Sequence, residues 1–409
     1  MKFVFVHQNF PGQFLHLVRH LVASGRHEIV FITEPNANVI AGVRKVPYRR
    51  PTGTGPETHI GARELDQALR RADAVARTAA NIKDLGYEPD IIIGHHGWGE
   101  LLHIRDIWPK SPLLGYLEYF YNTQGFDVGF DPEFPTGVAD FPRIRAKNAV
   151  NLLALNLGAS GQTPTQWQLS TYPAWARPQI ALMPEGVDLK VCKPDPKAAR
   201  EVLAVGDMRI TPDHKLVTYV SRELEPYRGF HVFMRALPHL LKARKDLRVV
   251  LIGGDGVSYG TPPPQGNWRQ VMLAELGAAI DPERVAFPGK VSYETYRRLL
   301  QRSDAHAYLT YPFVASWSLR ESLAMGCAVV ASDVAPVREF IRHGRNGLLA
   351  SFFDPKGLAE TILQVLEDSV LSARLRRNAR AYAESHLDLR AYLKAYNALI
   401  RRLVRAGSG

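Results

Sequence analysis

Short apolar runs alternate with longer amphipathic stretches along the whole chain. The apolar runs have the length and composition of buried strands, and they fall at residues 2–6, 27–33, 89–94, 113–117, 216–220, 248–253, 285–291 and 328–331. Stretches between them, such as 62–85, repeat their apolar residues at helical spacing. Strands that alternate with helices in this way predict an α/β fold with parallel sheets.

The length of the chain and one proline-containing segment predict two domains. A chain of 409 residues exceeds the usual size of a single hydrophobic core. Residues 183–196, MPEGVDLKVCKPDP, combine Gly186 with prolines and predict a definite bend. We therefore expect a first domain over 1–182, a linker over 183–196 and a second domain over 197–385.

Composition and charge narrow the class of protein. Hydrophobic residues make up 46% of the chain and charged residues 22%, the balance of a soluble globular protein. No apolar run approaches the roughly 20 residues of a membrane helix, and the cysteines, Cys192 and Cys327, fit a reducing compartment as buried small residues. We expect a cytoplasmic protein. The net charge of +11 implies an anionic partner, such as lipid headgroups, a polyanionic acceptor or nucleic acid, or else a phosphate-rich substrate.

Residues 308–339 carry the clearest chemical implication. An apolar run ends at Pro312, small and polar residues follow, and a helix is predicted over 319–325. A helix that begins at the carboxyl end of a parallel strand directs backbone N–H groups and its positive dipole end towards a bound phosphate. Glu321 lies about one turn inside this helix, where its carboxylate can accept hydrogen bonds from a ribose diol. The stretch predicts a nucleotide-sugar site; an ordinary α/β unit capped by Ser316 or Ser318 is the alternative.

The run SWSLRESLAMGCAVVASDVAPVREFIRHGRNGLL resembles the donor-binding signature of the family 4 retaining glycosyltransferases. The resemblance implies the α/β architecture called GT-B, in which two Rossmann-like domains with parallel sheets face each other across a cleft. It also implies that a C-terminal helix, residues 386–405, packs back on the first domain. The family usually has a glutamate eight positions before Glu321, and this chain has Phe313 there. The resemblance therefore implies an altered contact with the transferred sugar.

Two arginines are the catalytic candidates of the second domain. Arg222 and Arg228 lie six residues apart on a predicted strand-to-helix turn, and Gly229 follows them. The family usually has an arginine and a lysine at these positions, so Arg228 stands where a lysine is usual. Two cations beside a diphosphate stabilise the negative charge that accumulates on the leaving group. A solvated pair of surface arginines is the alternative.

Further donor-binding residues follow from the resemblance. We expect the main chain of Lys290 and Val291 to contact the base, and Phe313 to lie near the sugar. Gly12 would face the donor, with a plain tight turn as the alternative. Backbone donors for the diphosphate are expected from the start of the predicted helix, at Ser316, Trp317, Ser318 and Leu319.

Polar residues at two strand ends are the catalytic candidates of the first domain. The segment HHGWGE, residues 95–100, follows the strand 89–94, and successive side chains of a strand face opposite ways. Only one of the two histidines can therefore enter a site, and we take His96. Glu118 follows the strand 113–117, where many family members have a histidine that touches the sugar; a structural ion pair with an arginine is the alternative.

The sequence does not contain the usual patterns for binding a catalytic metal ion or a dinucleotide cofactor. Asp127 and Asp131 do not have the D-x-D spacing of metal-dependent glycosyltransferases, so we expect no metal. The first strand-to-helix turn lacks the G-x-G-x-x-G pattern of dinucleotide enzymes, which argues against an NAD oxidoreductase. No other cofactor is expected.

The sequence thus predicts a glycosyltransferase that moves a hexose-type sugar from a nucleoside-diphosphate sugar to a hydroxyl acceptor with retention, as in polysaccharide biosynthesis. UDP is preferred over GDP. The acceptor is a glycan, a lipid-linked molecule or a small molecule. The basic charge suits an anionic or membrane-linked acceptor and a peripheral contact with the inner face of the membrane, whereas nucleic acid is not expected. A nucleotide-sugar epimerase or hydrolase of the same fold, and a non-catalytic nucleotide-sugar-binding subunit, are the alternatives.

Overall fold

The computed structural model describes residues 1–407 and divides the chain into two compact units. Unit 1 comprises Met1–Glu185 and Leu389–Gly409, and unit 2 comprises Gly186–Asp388. Each unit has a parallel sheet with a Rossmann-like strand order, which confirms the predicted fold class of two such domains. Cys192 and Cys327 are both free and buried, as predicted.

The sheet of unit 1 pairs its strands in the order β3-β2-β1-β4-β5-β6-β7, and every pair is parallel. The strands are β1 Lys2–Val6, β2 Glu28–Thr33, β3 Arg44–Pro47, β4 Ile91–His95, β5 Leu113–Tyr116, β6 Ser160–Thr163 and β7 Ile180–Leu182. The helices of its N-terminal segment are α1 Leu15–Ala23, α2 Arg63–Asp84, α3 Ile104–Ile107, α4 Phe141–Lys147, α5 Ala149–Asn156 and α6 Gln166–Thr171.

Alternate residues of β1 belong to two separate hydrophobic cores. Phe3 and Phe5 pack in the core that contains α1, whereas Val4 and Val6 pack in the core that contains α2. Because side chains alternate between the two faces of a strand, a strand covered on both faces is apolar throughout. This is why the run FVFV is continuous rather than alternating.

The C-terminal helix, Leu389–Gly407, belongs to unit 1 although it follows unit 2 in the sequence. Its residues Tyr396, Leu399 and Ile400 are buried in the same core as α1. The Tyr396 hydroxyl also accepts a hydrogen bond from the Gln162 side chain on β6. The chain therefore returns to the first sheet and closes one face of it.

The main sheet of unit 2 pairs its strands in the order β12-β11-β10-β13-β14-β15, again all parallel. These strands are β10 Lys215–Glu223, β11 Leu247–Gly254, β12 Val285–Gly289, β13 Ala305–Tyr308, β14 Val329–Ser332 and β15 Leu348–Ala350. A separate antiparallel ribbon precedes them, formed by β8 Leu203–Val205 and β9 Met208–Ile210. The helices are α7 Phe230–Ala243, α8 Trp268–Leu276, α9 Tyr293–Arg302, α10 Trp317–Ala324, α11 Ala335–Arg338, α12 Pro355–Glu367 and α13 Ser369–His386.

Helix α8 is an element that the sequence analysis missed. It begins with a capping box, in which the Asn267 side chain accepts from the Gln270 backbone N–H and the Gln270 side chain accepts from the Asn267 N–H. Only Met272 of this helix is buried, so the apolar periodicity that reveals a helix is weak here.

The strand order of each sheet reverses direction once. In unit 1 the chain builds outwards from β1 to β3 and then resumes beside β1 with β4; in unit 2 the corresponding pair is β10 and β13. Helical connections leave such a pair on opposite faces of the sheet, and the carboxyl ends of the two strands border a ligand crevice. Among residues 1–407, no helix is both long and apolar enough to cross a membrane.

We predict that Gly229 is required for the turn into α7. Its φ is +67°, and a Cβ at this position would collide with the Leu309 side chain. Gly229→Ala should lower the free energy of unfolding by about 2–4 kcal/mol, since it adds overpacking to left-handed backbone strain. Urea unfolding measures the change.

The matched control is Gly206→Ala in the β8–β9 ribbon. Gly206 has a φ of +56°, and a Cβ there would meet nothing within 4 Å. Gly206→Ala should lower the free energy of unfolding only by the backbone strain of a left-handed alanine, about 1–2 kcal/mol. Equal losses in the two variants would contradict a packing role for Gly229.

Candidate functional site

The carboxyl ends of β10 and β13 bring most of the predicted donor-binding residues into one part of unit 2. Arg228 lies in a one-turn helix, Pro226–Arg228, that follows β10. Residues 309–316 follow β13 and lead into α10. The strand order reverses between these two strands, which is where an open α/β sheet binds its ligand.

Arg228 is buried and held in one orientation. Its Nη1 donates hydrogen bonds to Thr310 Oγ1 and to the Val314 carbonyl, both at 2.8 Å. The rings of Tyr259 and Phe313 lie 5.1 and 5.9 Å from the guanidinium carbon, within cation–π range. These contacts tie the turn after β10 to the loop after β13.

Glu225 anchors a second loop beside Arg228. This carboxylate is fully buried and accepts hydrogen bonds from the backbone N–H groups of Ser258, Tyr259 and Gly260, at 2.9 to 3.2 Å. The loop after β11 is thereby fixed to the turn before α7. Glu225 therefore orients this loop from a buried position.

Arg222 has a different environment from Arg228. It lies near the end of β10 with an exposed side chain, and within the described part of the chain it has no hydrogen bond or ion pair. The predicted pair therefore consists of one fixed, buried cation and one exposed cation that is available to a ligand.

Phe313 is buried among aromatic side chains. Its ring centroid lies 4.9 Å from that of Tyr259 and 5.4 Å, edge-on, from that of Tyr227. Its exposed fraction is 3%. An apolar ring thus occupies the position where the family pattern has a carboxylate, directly beside the Arg228 guanidinium.

The start of α10 does not have the side-chain cap that an ordinary helix would use. Ser316 is the N-cap residue, but its hydroxyl bonds to the Ser318 hydroxyl at 2.6 Å instead of to the helix backbone. The Ser316 N–H donates to the Tyr308 hydroxyl, and the Leu319 N–H donates to the Ser316 carbonyl. Trp317 and Ser318 are half-buried, whereas Leu319 is fully buried against the core.

Glu321 accepts hydrogen bonds from two tyrosines of α9. The Tyr293 hydroxyl donates to Oε1 at 2.7 Å and the Tyr296 hydroxyl donates to Oε2 at 2.8 Å. Burial raises the pKa of Glu321, although these hydrogen bonds oppose the change. The Cys192 thiol, a weak donor, also lies 4.0 Å from Oε1, whereas Oε2 can accept a second hydrogen bond, so the ribose contact stays a prediction that the geometry permits.

Lys290 directly follows β12, at the same edge of the sheet. Its ammonium pairs with Glu223 Oε1, and Glu223 Oε2 accepts from the Gly256 N–H at 3.0 Å. The Lys290 side chain is therefore engaged with β10. The predicted contact with a base concerns the main chain of Lys290 and of the half-buried Val291.

Unit 1 has a histidine cluster at the corresponding edge, formed by His7, His95, Trp98 and Glu118. The His95 ring stacks on Trp98 at 4.2 Å and meets the His7 ring edge-on at 5.5 Å. The Gly97 N–H donates to His95 Nδ1 at 2.9 Å, which leaves Nε2 as the protonated nitrogen. Nε2 lies 3.6 Å from Glu118 Oε2, too far for a direct hydrogen bond.

The structure places His95, not the predicted His96, beside Glu118. His96 is fully buried, and its ring lies against Gly115, where a Cβ would collide with it. Neither ring nitrogen of His96 has a hydrogen-bond partner among the described residues. Burial lowers the pKa of His96 to about 3. The two histidines do face opposite ways, but the sequence does not reveal which one faces Glu118.

Gly12 packs directly on His7. It has a φ of +54°, and a Cβ at this position would lie 2.7 Å from the His7 ring. The Asn9 N–H donates to His7 Nδ1, and His7 Nε2 is 2.5 Å from Gln13 Oε1. Burial lowers the pKa of His7 to about 3. The turn therefore needs a glycine to approach the histidine cluster, and contact with the donor stays a prediction.

Two protein-family models match the chain. Residues 25–192 match the model described as glycosyl transferase family 4 group, and residues 207–382 match glycosyl transferases group 1. Among curated proteins, a D-inositol 3-phosphate glycosyltransferase of Nocardia farcinica is 28% identical over 51% of this chain and 44% of its own length. Spore coat protein SA of Bacillus subtilis is 29% identical over 55% of this chain and 58% of its own length. The matches thus span about half the length of these relatives.

Solved structures have the same fold over nearly the whole chain. A sucrose-phosphate synthase of Thermosynechococcus elongatus has a TM-score of 0.73 at 18% identity, covering 99% of this chain and 100% of that one. The Anabaena protein HepE, solved with UDP-glucose, has a TM-score of 0.69 at 19% identity and covers 98% of this chain and 100% of its own. At these identities the likeness establishes the fold.

We predict that the stability of unit 1 falls as pH decreases below about 6.5. His7 and His96 have folded pKa values of about 3, against an ordinary 6.5, so between these values the unfolded chain binds protons that the folded chain does not. Each histidine should contribute up to about 1.4 kcal/mol per pH unit. Urea unfolding between about pH 7 and pH 5 measures this slope.

The variant that isolates one histidine is His96→Leu. The His96 ring has no hydrogen bond to lose, so an apolar side chain leaves no polar group unpaired. The variant should show a slope smaller by up to about 1.4 kcal/mol per pH unit, with the largest difference near pH 5. A slope equal to that of the original protein would contradict the assigned cause.

Proposed function

Because this chain belongs to the family 4 type of glycosyltransferases with the GT-B fold, we propose that it transfers a hexose-type sugar from a UDP-sugar to a hydroxyl acceptor. The transfer retains the anomeric configuration and uses no metal ion. The observation that carries the proposal is the fixed guanidinium of Arg228 at the carboxyl ends of β10 and β13, where a diphosphate would lie.

The two arginines have complementary roles in this proposal. Arg228 is oriented before any ligand binds, so it needs no reorganisation when charge develops on the diphosphate. Arg222 is exposed and turns towards the ligand on binding. The positive end of α10 adds to the field of these cations, with the backbone near Ser318 as a donor.

Glu321 would bind the ribose, and the strand end after β12 would bind the base. Tyr293 and Tyr296 fix the Glu321 carboxylate, so its remaining acceptor positions have a defined direction. The main chain of Lys290 and Val291 would contact the base. UDP is our choice of nucleotide because the Anabaena neighbour was solved with UDP and with UDP-glucose.

Phe313 and Glu118 would contact the transferred sugar. Phe313 offers an apolar ring instead of a carboxylate, so the sugar hydroxyls lose one acceptor on this side. Glu118 offers a carboxylate that can accept hydrogen bonds from sugar hydroxyls or stabilise the positive charge that develops at the anomeric carbon. His95 Nε2 lies 3.6 Å from Glu118 Oε2 and is the polar neighbour of that carboxylate in the cluster.

The proposed reaction needs no protein nucleophile. The acceptor oxygen forms a bond to the anomeric carbon on the face from which the diphosphate departs, and the bond between that carbon and the diphosphate oxygen breaks. The acceptor proton passes to the departing diphosphate oxygen. Retention is read from the anomeric proton coupling of the product in an NMR spectrum.

We infer that the acceptor carries negative charge. A curated relative is named for D-inositol 3-phosphate, an anionic polyol. The net charge of +11 suits an acceptor of this kind. A phosphorylated polyol is therefore the first acceptor to assay with the donor that binds.

The experiment that tests the donor site is thermal unfolding with UDP, GDP and ADP in the presence of EDTA. UDP should raise the midpoint most, because a ligand at about a hundredfold excess over its dissociation constant stabilises the folded state by about 2.7 kcal/mol. Glu321→Gln should reduce this shift. Glu360→Gln, an exposed position on α12, is the control and should leave it unchanged. If no nucleotide raises the midpoint, the proposal fails.

We predict that Arg222→Ala separates activity from stability. The side chain is exposed and unpaired in the described chain, so its loss should change the free energy of unfolding by no more than about 0.5 kcal/mol. Loss of a cation beside the leaving group should lower kcat/KM about 100- to 1000-fold. Arg209→Ala, an exposed arginine on β9, is the matched control. Equal activity in the two variants would count against the role of Arg222.

A further inference from the structure

Unit 1 contains a cavity of about 450 Å³ between α1, β1 and the C-terminal helix. Phe3, Leu21 and Ile400 give it an apolar floor, and all three are buried. The Asn397 side chain lies 2.9 Å from His20 Nε2 and joins the two helices at its edge. The size falls in the range of small-molecule sites, which is roughly 300–1,000 Å³.

The titratable side chains of the lining are all basic. His20, Arg26, His27 and Arg401 line the cavity, and among its described lining residues none is an aspartate or glutamate. Burial, followed by the neighbouring positive charges, lowers the pKa of His27. Arg26 and Arg401 have no carboxylate partner within residues 1–407, and the Arg401 Nε donates only to the Asn397 carbonyl. Positive charge is thus concentrated at the cavity without a counter-charge.

We propose that this cavity binds an anionic amphiphile, a molecule with a hydrocarbon body and a phosphate or carboxylate head. The hydrocarbon would lie over this floor and cover the exposed Met1 side chain, which also lines the cavity, since removal of apolar surface from water is favourable. The negatively charged head would lie between Arg26 and Arg401 and pair with both guanidinium groups. The site uses none of the residues assigned to the donor or to sugar transfer, so it does not depend on the proposed transferase function.

Isothermal titration of the full chain tests the proposal with four probes. Octyl phosphate and octanoate carry both features, inorganic phosphate carries only the charge, and octyl glucoside carries only the hydrocarbon. All are used below any critical micelle concentration. At least one of the two anionic amphiphiles should bind saturably and at least about tenfold more tightly than either single-feature probe. The tighter of the two identifies the head group.

The matched variants are Arg401→Glu and Arg402→Glu. Both arginines are exposed on the C-terminal helix, but only Arg401 lines the cavity. Arg401→Glu should weaken the amphiphile about tenfold or more, while Arg402→Glu keeps the original affinity. Melting midpoints without ligand verify that both variants fold. Absence of saturable binding, equal weakening in both variants, or equal binding of octyl glucoside would each overturn the proposal.

Discussion

The arrangement at the strand ends of unit 2 depends on one buried carboxylate. Glu225 is fully buried, and a charge in that position is tolerated only with several hydrogen bonds. Three successive backbone N–H groups of the loop after β11 supply them, and hydrogen bonds to a charged group contribute about 1.5–3 kcal/mol each. Tyr259 is one of the donors, and its ring covers Arg228. The loop, the aromatic ring and the guanidinium are thus fixed by the same carboxylate.

Local sequence patterns predicted the sheets because each central strand is covered on both faces and is therefore apolar throughout. β1 and β11 are examples, and their apolar runs fall within about two residues of the observed strands. The same argument failed for α8, which buries only Met272 and so lacks an apolar face. Its capping box, Asn267 with Gln270, was the available signal, and it follows closely after three consecutive prolines at 262–264.

Contacts between distant residues could not be predicted from such patterns. Tyr293 and Tyr296 lie on one face of α9, as their spacing indicates, but nothing local shows that this face meets Glu321. His95 and His96 are a similar case. Alternation shows that the two rings face opposite ways, whereas the choice between them depends on the neighbouring strand, where Gly115 makes room for His96.

Two departures from the family pattern are physically linked. Arg228 stands where a lysine is usual, and Phe313 stands where a glutamate is usual. A guanidinium is planar, so it can donate to Thr310 and Val314 while its face lies against aromatic rings; the compact ammonium of a lysine has no such face. A glutamate in place of Phe313 would lie beside this cation and pair with it, which would neutralise the charge. The Phe313 ring packs against the Arg228 guanidinium without pairing with its charge.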